Sequence, residues 1–307
     1  MFPLNLNSIR LAWWNVNLSS VASNAKYVST GSDYDVVLKG ILFFFNIQQC
    51  KLVVLCEVSE QDITVLRESI SSSYLSIIEG IDSVGKTRFD TVLIYDHRFI
   101  YIEHDTNITK RSSTSFVKAG QVYDLYSIHD NAHFKLILCH WPSRATAESN
   151  IRRNKSATLL ASTIQSDYLE EYDVIIMGDF NDNPFDKSIY ESLQATRCHE
   201  MAIKHPDEWL YNPFWRESVS TTYHGSEHHE SKRNSYPSGT YRHKAGEGAF
   251  WHTLDQILIS GSLISTSNWQ LNEKETKVIS EKYFTEIFSN KSRIDHLPVV
   301  CELEYRG

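Results

Sequence analysis

The sequence predicts an α/β protein in which helices cover sheets of mostly antiparallel strands. Short apolar runs of strand length recur along the whole chain, and longer stretches have the length of helices. Several of the short runs alternate apolar and polar residues, which is typical of antiparallel sheets with one covered face. The 307 residues can bury a sizeable core. No repeat, low-complexity segment or linker divides them, so we expect a single domain over residues 1–307.

The composition is that of a globular protein with an acidic balance. Hydrophobic residues make up 41% of the chain and charged residues 22%, and the formal net charge is −8. This balance argues against a broad, sequence-independent grip on nucleic acid, which depends on phosphate neutralisation by many Lys and Arg side chains. A local basic rim around an acidic metal site remains compatible with it.

The cysteines and the apolar runs predict a soluble cytoplasmic protein. Five cysteines without a CxxC pair, four of them in or beside apolar strand-like runs, predict buried free thiols and a reducing compartment. The first residues lack a basic segment followed by a long apolar core, so we expect no signal peptide. The most apolar run, 36–47, contains Lys39 and Gly40 and is shorter than the roughly 20 residues that span a bilayer.

The first third of the chain predicts two strands and two helices. Residues 8–16 alternate in strand fashion and end near Asn15, which either caps the following turn or orients a neighbouring carboxylate. Residues 35–48 have the apolar density of a helix, although Phe43–Phe45 fits a strand equally well. Residues 51–58 form a buried strand that ends on Glu57, for which emergence into solvent is the simpler explanation when it is taken alone. A helix should then run from Ser59 to about Ile70.

The middle of the chain predicts a series of short strands, followed by a long helix over 145–169. The last strand runs into His140 and, four residues later, Arg144, although a histidine and an arginine on a loop are the simpler explanation of this pair when it is taken alone. Arg152, Arg153 and Lys155 of the helix are most simply a solvated face. The predicted strands cover 74–80, 89–95, 99–103, 122–128 and 134–139.

Residues 174–184 predict a buried strand with polar groups at its end, followed by an Asn/Asp/Pro turn. Asp179 and Asn181 are two residues apart, so in extended chain they point the same way. An acid beside an amide can hold a divalent cation, or a nucleophilic water, against a phosphate. Asp and Asn are also common turn formers, and a strand that ends in a turn explains the pattern equally well when it stands alone.

The last third contains an irregular aromatic segment and two further strands. Residues 187–250 either form a long loop that shapes a site or pack aromatic side chains over a sheet edge. The group of His224, His228 and His229 lacks cysteine partners and fixed spacing, so we expect no zinc site there. A strand over 251–260 carries Asp255 near its start, and Asp295 with His296 precedes the last strand at 299.

The polar residues at these strand ends, taken together and in this order, resemble the endonuclease/exonuclease/phosphatase superfamily of DNase I-like enzymes. The resemblance spans residues 14–299. It implies a four-layer α/β sandwich, in which two mostly antiparallel sheets pack face to face, helices flank them, and the site lies at one end of the sheets. The matching motifs are Trp14-Asn15, Glu57, His140-Trp141-Pro142-Ser143-Arg144, Gly178-Asp179-Phe180-Asn181-Asp182, Leu254-Asp255-Gln256 and Asp295-His296-Leu297-Pro298-Val299.

The resemblance also implies a metal and residues that bind the substrate. Glu57 would be the principal ligand of Mg²⁺, for which Mn²⁺ could substitute, and Asp295 a second ligand. Asn15 would lie beside the metal on the substrate side, and Arg144 would neutralise a neighbouring phosphate. One position departs from the family pattern, because Asn17 stands where some relatives carry an acid. This departure puts a second metal position in doubt.

The implied catalytic residues are distributed over the same strand ends. Asp255 would orient His296, which would face the scissile phosphate. Asp179 would activate the attacking water or assist the leaving group, and Asn181 would fix the nucleophile or a phosphate oxygen. His140 would donate to the phosphate or to the leaving oxygen. Such a set meets the needs of in-line displacement at phosphorus, namely a cation, a positioned water and donors to the phosphate oxygens.

Three functions follow from these observations. The first is a Mg²⁺-dependent nuclease whose partner is DNA or RNA, with aromatic side chains available to stack on bases. The second is a phosphatase or phosphodiesterase for a small-molecule or lipid phosphate ester, which the acidic net charge favours slightly. The third is a binding module that kept the fold without the activity. It is the weakest of the three, since no implied catalytic position carries an inert residue.

Overall fold

The computed structural model describes residues 6–19, 29–112, 116–144, 148–218, 237–287 and 293–307. The helices are α1 (Gly31–Asn46), α2 (Glu60–Ser69), α3 (Ser149–Asp167), α4 (His199–Lys204) and α5 (Lys282–Ile287), with a π-helical turn at Ser188–Ser192 and 3₁₀ turns at Pro213–Ser218 and Gly261–Ile264. The strands are β1 (Ser8–Asn15), β2 (Leu52–Cys56), β3 (Leu75–Glu79), β4 (Asp82–Val84), β5 (Thr87–Phe89), β6 (Thr91–Asp96), β7 (Ile100–Arg111), β8 (Phe116–Ser127), β9 (His133–His140), β10 (Asp173–Asp179), β11 (Ala195–Thr196), β12 (Leu210–Tyr211), β13 (Tyr241–Glu247), β14 (Ala249–His252), β15 (Asp255–Ser260), β16 (Trp269–Leu271), β17 (Lys277–Val278) and β18 (Val299–Tyr305).

Two large sheets form the centre of the fold. The first sheet has the order β16-β18-β1-β2-β6-β3, with β17 beside β18, and the second has the order β11-β12-β15-β10-β9-β8-β7. Most neighbours are antiparallel, as the alternating sequence pattern predicts. The pairs β1·β2 and β9·β10 at the two sheet centres are parallel, and so is the short edge pair β11·β12. Residues 82–89 and 241–252 form two separate hairpins.

The sheets pack against each other and are covered by helices on their outer faces, so the chain has the four layers that the resemblance implies. A core between the sheets contains the buried side chains of Trp13, Val54, Met177 and Ile257. Burial of this apolar surface is the main stabilising contribution to such a fold. Helices α1 and α2 lie against the first sheet and helix α3 against the second, where it forms a further apolar cluster.

Helix α1 settles an ambiguity in the sequence. The residues Phe43–Phe45, which fit a helix or a strand, lie in its last turn. The helix begins at Gly31, four residues before the predicted start, because a capping box between Thr30 and Asp33 stabilises its first turn. Gly40 lets it approach the first sheet closely, since a Cβ atom there would lie 2.4 Å from the ring of Trp14.

Two sequence predictions on local structure are wrong. The strand predicted over 251–260 is interrupted at residues 253–254, where the chain leaves the β13–β14 hairpin and enters the second sheet as β15. The amides of Leu254 and Asp255 both donate to Oγ1 of Thr240, which fixes this crossing. Arg153 is not part of a solvated face, because only 1% of its surface is exposed. Its guanidinium instead pairs with the buried Asp182 at 2.8 Å.

The thiols agree with the prediction of buried free cysteines. Cys50, Cys56, Cys139 and Cys301 are free and buried, and Cys198 is free and exposed. No helix within the described ranges is long and apolar enough to cross a membrane.

Candidate active site at one edge of the two sheets

The second sheet brings three of the predicted residues side by side. Asp179 is the last residue of β10, and its register partners are His140 on the parallel strand β9 and Asp255 on the antiparallel strand β15. Where one strand of a sheet ends, a parallel neighbour also ends and an antiparallel neighbour begins. Residues far apart in sequence therefore meet at one edge of the sheet.

The first sheet presents its residues at the same edge by the same rule. Asn15 at the end of β1 pairs with Cys56 at the end of the parallel strand β2, and Glu57 follows directly. Asp90 precedes the antiparallel strand β6, whose first residue lies opposite Cys56. His296 precedes the antiparallel strand β18. The sequence pattern of polar residues at strand ends thus becomes one continuous site.

Each of the two histidines is held by a carboxylate from the opposite sheet. His140, at the end of a strand in the second sheet, has its Nδ1 atom 2.9 Å from Oδ1 of Asp90, which precedes a strand of the first. His296, which precedes a strand of the first sheet, has its Nδ1 atom 2.7 Å from Oδ2 of Asp255, which begins a strand of the second. The Nδ1 atoms donate in both contacts, so each Nε2 atom is left for other partners.

Asp255 and His296 have further supports that fix their positions. The indole Nε1 of Trp13 donates to Oδ1 of Asp255 over 3.0 Å, so both oxygens of this fully buried carboxylate accept a hydrogen bond. The neighbouring Trp14 donates to the backbone oxygen of His296. The ring of Tyr241 lies against the imidazole of His296 with the centroids 4.9 Å apart.

Asn15 fulfils both of the roles that the sequence left open. Its Oδ1 atom accepts from the amide of Asn17 and so caps the turn after β1. Its Nδ2 atom donates to Oε1 of Glu57 at 3.1 Å and to Oδ2 of Asp179 at 3.0 Å. This buried amide therefore sets the spacing between a carboxylate of each sheet.

The expectation that Asp179 and Asn181 lie in extended chain is wrong. Strand β10 ends at Asp179, and Asn181 has φ of +54°, in the left-handed region that Asn tolerates better than most residues. The backbone amide of Asn181 returns to donate to Oδ1 of Asp179 at 2.9 Å, and its side chain donates to the oxygen of Trp141. The two residues stay together through a turn that the carboxylate itself stabilises.

The electrostatic surroundings favour protonation of both imidazoles. Burial acts to lower the pKa of His140, but the carboxylate of Asp90 outweighs it and raises the pKa to about 9. Burial opposes the protonation of His296 in the same way. There Asp255 and Asp179 hold the pKa well above its ordinary value. The partner carboxylates therefore favour the cationic, donating form of both side chains.

Asp179 experiences the opposite effect. Burial and the nearby charge of Asp255 raise the pKa of its carboxyl group to about 6, although His296 and His140 act to lower it. A carboxylate with this pKa is ionised at neutral pH and remains basic enough to accept a proton.

Two groups of side chains at this edge contain atoms that could bind a divalent cation. Asp179, Asp255 and His296 have ligand atoms within 4.8 Å of one another, but the hydrogen bonds already described join these atoms to each other and to their neighbours. Glu57 is half-buried at the mouth of the edge, and Asp295 is half-buried with its Oδ1 atom 3.4 Å from Nδ2 of Asn17. With five carboxylates and two imidazoles at this edge, a hard cation with oxygen ligands suits the excess negative charge. The five are Glu57, Asp90, Asp179, Asp255 and Asp295.

The predicted phosphate-binding arginine already has partners in the chain. Nε of Arg144 donates to the backbone oxygen of Asn181, and the guanidinium pairs with Asp182 and Asp186. Its side chain is 36% exposed, so it lies at the rim of the site. It braces the loop after β10 together with the buried Arg153.

Sequence reasoning missed Asp90, although a signal was present. Asp90 lies within the predicted strand 89–95, and a carboxylate inside an apolar run is costly to bury unless it is paired. Each interpretation of the aromatic segment 187–250 holds for part of it. Tyr211 and Phe214 pack in the core beside the outer strands of the second sheet, whereas Tyr241 contacts His296 in the site. Tyr223, Tyr236 and the histidines at 224, 228 and 229 lie outside the described residues.

Comparisons with known proteins agree with this fold. A family model described as the Endonuclease/Exonuclease/phosphatase family matches residues 36–299. A search of curated proteins found no sequence that matches. Three solved structures share the fold over 97% of this chain: the human Nocturnin catalytic domain with bound sulfate (15% identity, TM-score 0.60, 95% of that chain), Danio rerio TDP2 complexed with single strand DNA product (12%, 0.59, 99%), and the mannosyl-6-phosphatase of Bacteroides thetaiotaomicron (13%, 0.61, 100%). Members of this family are phosphodiesterases, nucleases and phosphatases that usually act with divalent metals. The family model covers most of the chain, so the protein belongs to the endonuclease/exonuclease/phosphatase family and has the fold of a phosphoester hydrolase.

Proposed function

We propose that the protein is a Mg²⁺-dependent phosphodiesterase that cleaves DNA or RNA. The observation that carries this proposal is the pair of carboxylate-bound histidines, His140 and His296, on either side of Asp179 at one sheet edge. Two cationic donors beside one basic carboxylate match the charge that develops when water attacks a phosphodiester.

The residues present fit a divalent metal at the mouth of this edge. Glu57 and Asp295 would hold it, because their carboxylates are half-buried and less committed to histidine partners than those of Asp90 and Asp255. When bound, Mg²⁺ or Mn²⁺ would offset negative charge on the phosphate. The amide of Asn15 keeps Glu57 and Asp179 at a fixed spacing, so metal and base would act on the same phosphate.

The side chains can perform the hydrolysis in one displacement. Asp179 orients a water molecule and accepts its proton while the water oxygen forms the new bond to phosphorus. His296 donates to an oxygen of the phosphate, and Asn181 fixes the nucleophile beside Asp179. The ester bond to the leaving oxygen breaks, and His140 supplies the proton that this oxygen takes up. Solvent then removes the proton from Asp179 and returns one to His140.

The test is turnover of several phosphate esters by the wild-type protein and by Asp179→Asn. The substrates are supercoiled DNA, single-stranded DNA, RNA and p-nitrophenyl phosphodiesters, with Mg²⁺ and with EDTA. We expect metal-dependent cleavage of nucleic acid that falls by roughly 10²- to 10⁴-fold or more in Asp179→Asn and His296→Gln, as is typical for a lost acid or base. Asp207→Asn, at an exposed aspartate, is the matched control and should retain the full rate. Wild-type rates in the Asp179 or His296 variant would contradict the assignment.

A second candidate is hydrolysis of a small-molecule or lipid phosphate ester. The net charge of −8 favours it, and one of the similar structures is a mannosyl-6-phosphatase. Turnover of p-nitrophenyl esters without cleavage of any nucleic acid would favour this function. If neither is turned over and calorimetry detects no Mg²⁺ binding, a binding role takes its place.

A further inference from the structure

A basic groove lies on the outer side of the second sheet. It has a volume of about 590 Å³ and is bounded by helix α3, the π-helical turn and the ends of β7 and β8. Its lining contains the cations Lys110, Arg111, Lys155 and Lys187 and the apolar side chains of Val117 and Ile151. No acidic residue is among the described residues that line it.

The cations of this groove are largely unneutralised. Lys110, Arg111 and Lys155 are exposed, and no carboxylate among the described residues forms an ion pair with them. Lys187 is 3.5 Å from Glu191, but both side chains are well exposed, so solvent screens the pair. The four cations lie together although the protein has a net charge of −8. They concentrate positive potential on one surface.

The groove adjoins the candidate active site through strand β8. Val117 lines the groove, and the next residue, Lys118, accepts a hydrogen bond at its backbone oxygen from Ser156 of helix α3. The ammonium of Lys118 reaches the backbone oxygen of Arg88, two residues before Asp90. The backbone oxygen of Ala119 accepts from the indole of Trp141, which follows His140. A short stretch of β8 therefore separates the two sites.

We propose that this groove binds the phosphodiester backbone of a single-stranded nucleic-acid segment that continues from the scissile phosphate, an inference that rests on the proposed function. Several separated cations suit a ligand that carries a phosphate on each unit, whereas a single small phosphate ester would contact only one or two of them. The apolar side chains between the cations suit the sugars and bases of such a strand. The groove thus selects nucleic acid over a small phosphate ester.

The test is binding of a fluorescein-labelled single-stranded oligonucleotide, measured by anisotropy across a range of salt concentrations. The triple variant Lys110→Ala, Arg111→Ala and Lys155→Ala should raise Kd at least tenfold. For single strands, each phosphate contact contributes about 0.7 to the slope of log Kd against log salt. Loss of three contacts should therefore lower this slope by roughly 2. The same variant should hydrolyse a p-nitrophenyl phosphodiester at the wild-type rate.

A matched control separates the groove from general charge. The triple variant Lys39→Ala, Lys204→Ala and Lys274→Ala removes the same charge from exposed positions outside the groove and should leave Kd within twofold. The proposal would be overturned if both triple variants lost the same affinity, or if neither lost any. The binding measurement needs no turnover, so it decides the proposal even if the protein hydrolyses no ester. Conversely, metal-dependent cleavage of nucleic acid together with an unchanged Kd in the groove variant would reject the groove and leave the proposed function standing.

Discussion

At the scale of single residues, the site depends on charge pairs that cross between the sheets. His140 and His296 are buried, and an isolated buried imidazole would be neutral because burial disfavours the charged form. Their partners Asp90 and Asp255 reverse this effect. The cationic form of the two histidines is therefore favoured by residues that a motif search for the histidines alone would not find.

The pair of His140 and Asp90 should make folding stability depend on pH. The pKa of His140 is about 9 in the folded chain, against an ordinary value of about 6.5, so the folded state holds the proton more tightly. The contribution of this pair to the free energy of unfolding is fully present below about pH 6.5. It falls by at most roughly 3 kcal/mol as the pH rises from about 6.5 to 9. Urea unfolding at several pH values measures it.

The variant Asp90→Asn should remove most of this dependence, because His140 then loses the charge that stabilises its protonated form. His205→Gln, at an exposed histidine, should keep the wild-type profile. A wild-type stability that rises between pH 6.5 and 9 would contradict the assignment.

The sequence identifies most of these residues but not their partners. Polar groups at strand ends mark Asn15, Glu57, His140 and Asp179 only when they are taken together and in order, since a turn or contact with solvent explains each of them alone. The contact between His140 and Asp90 joins strands of different sheets, and no local pattern encodes that packing. Arg153 was assigned to solvent for the same reason, since its partner Asp182 lies on a loop that follows another strand.

At the scale of elements, the parallel pair of β9 and β10 requires a glycine. A Cβ atom at Gly178 would lie 2.1 Å from the backbone oxygen of Cys139, so the two strands can pair at the ends that carry Asp179 and His140 only without a side chain there. The next residues of the two strands are Asp179 and His140. The spacing of these two side chains thus depends on the lack of a Cβ atom at Gly178, which pairs with Cys139.

Gly178→Ala should therefore lower both stability and turnover. The neighbour is backbone and cannot move aside cheaply, so we expect a loss of about 1–3 kcal/mol, as for other overpacked positions, with reduced kcat in the protein that remains folded. Thermal unfolding and steady-state kinetics check both effects. Gly31→Ala is the control, since a Cβ atom there meets nothing within 4 Å. An alanine variant at 178 with wild-type stability would show that the strands can separate without cost.

At the scale of the whole molecule, the two apolar clusters share the second sheet. One cluster fills the space between the sheets, extends over the outer face of the first sheet and includes Trp13 and Trp269. The other lies between the second sheet and helix α3 and includes Trp141. The strands of the second sheet contribute side chains to both, because alternate residues point to opposite faces. Neither cluster can then be lost while the other keeps its support.

We expect a single cooperative unfolding transition for this reason. Tryptophan fluorescence, far-ultraviolet circular dichroism and residual ester turnover should give the same urea midpoint. This outcome would support the single domain that the undivided sequence predicts. Separate midpoints for fluorescence and circular dichroism would show that the layers unfold independently.

The fold could be predicted from the sequence further than the site could. Strand and helix periodicity located α1, α3 and the central strands, because apolar spacing is a local property. The interruption at 253–254 escaped prediction, since Trp251 to Ser260 has the composition of one continuous strand. There the tertiary bonds to Thr240 decide the path of the chain.

Under the proposed mechanism, the crosswise pairing of histidines and carboxylates makes the rate of hydrolysis depend on the separation of the two sheets. A change of core volume far from the edge would alter the His140–Asp90 and His296–Asp255 distances together, because each pair joins one sheet to the other. Hydrostatic pressure, or a cavity created between the sheets, could then slow the enzyme while every strand stays in place. The rate of hydrolysis would then report the packing density between the two sheets.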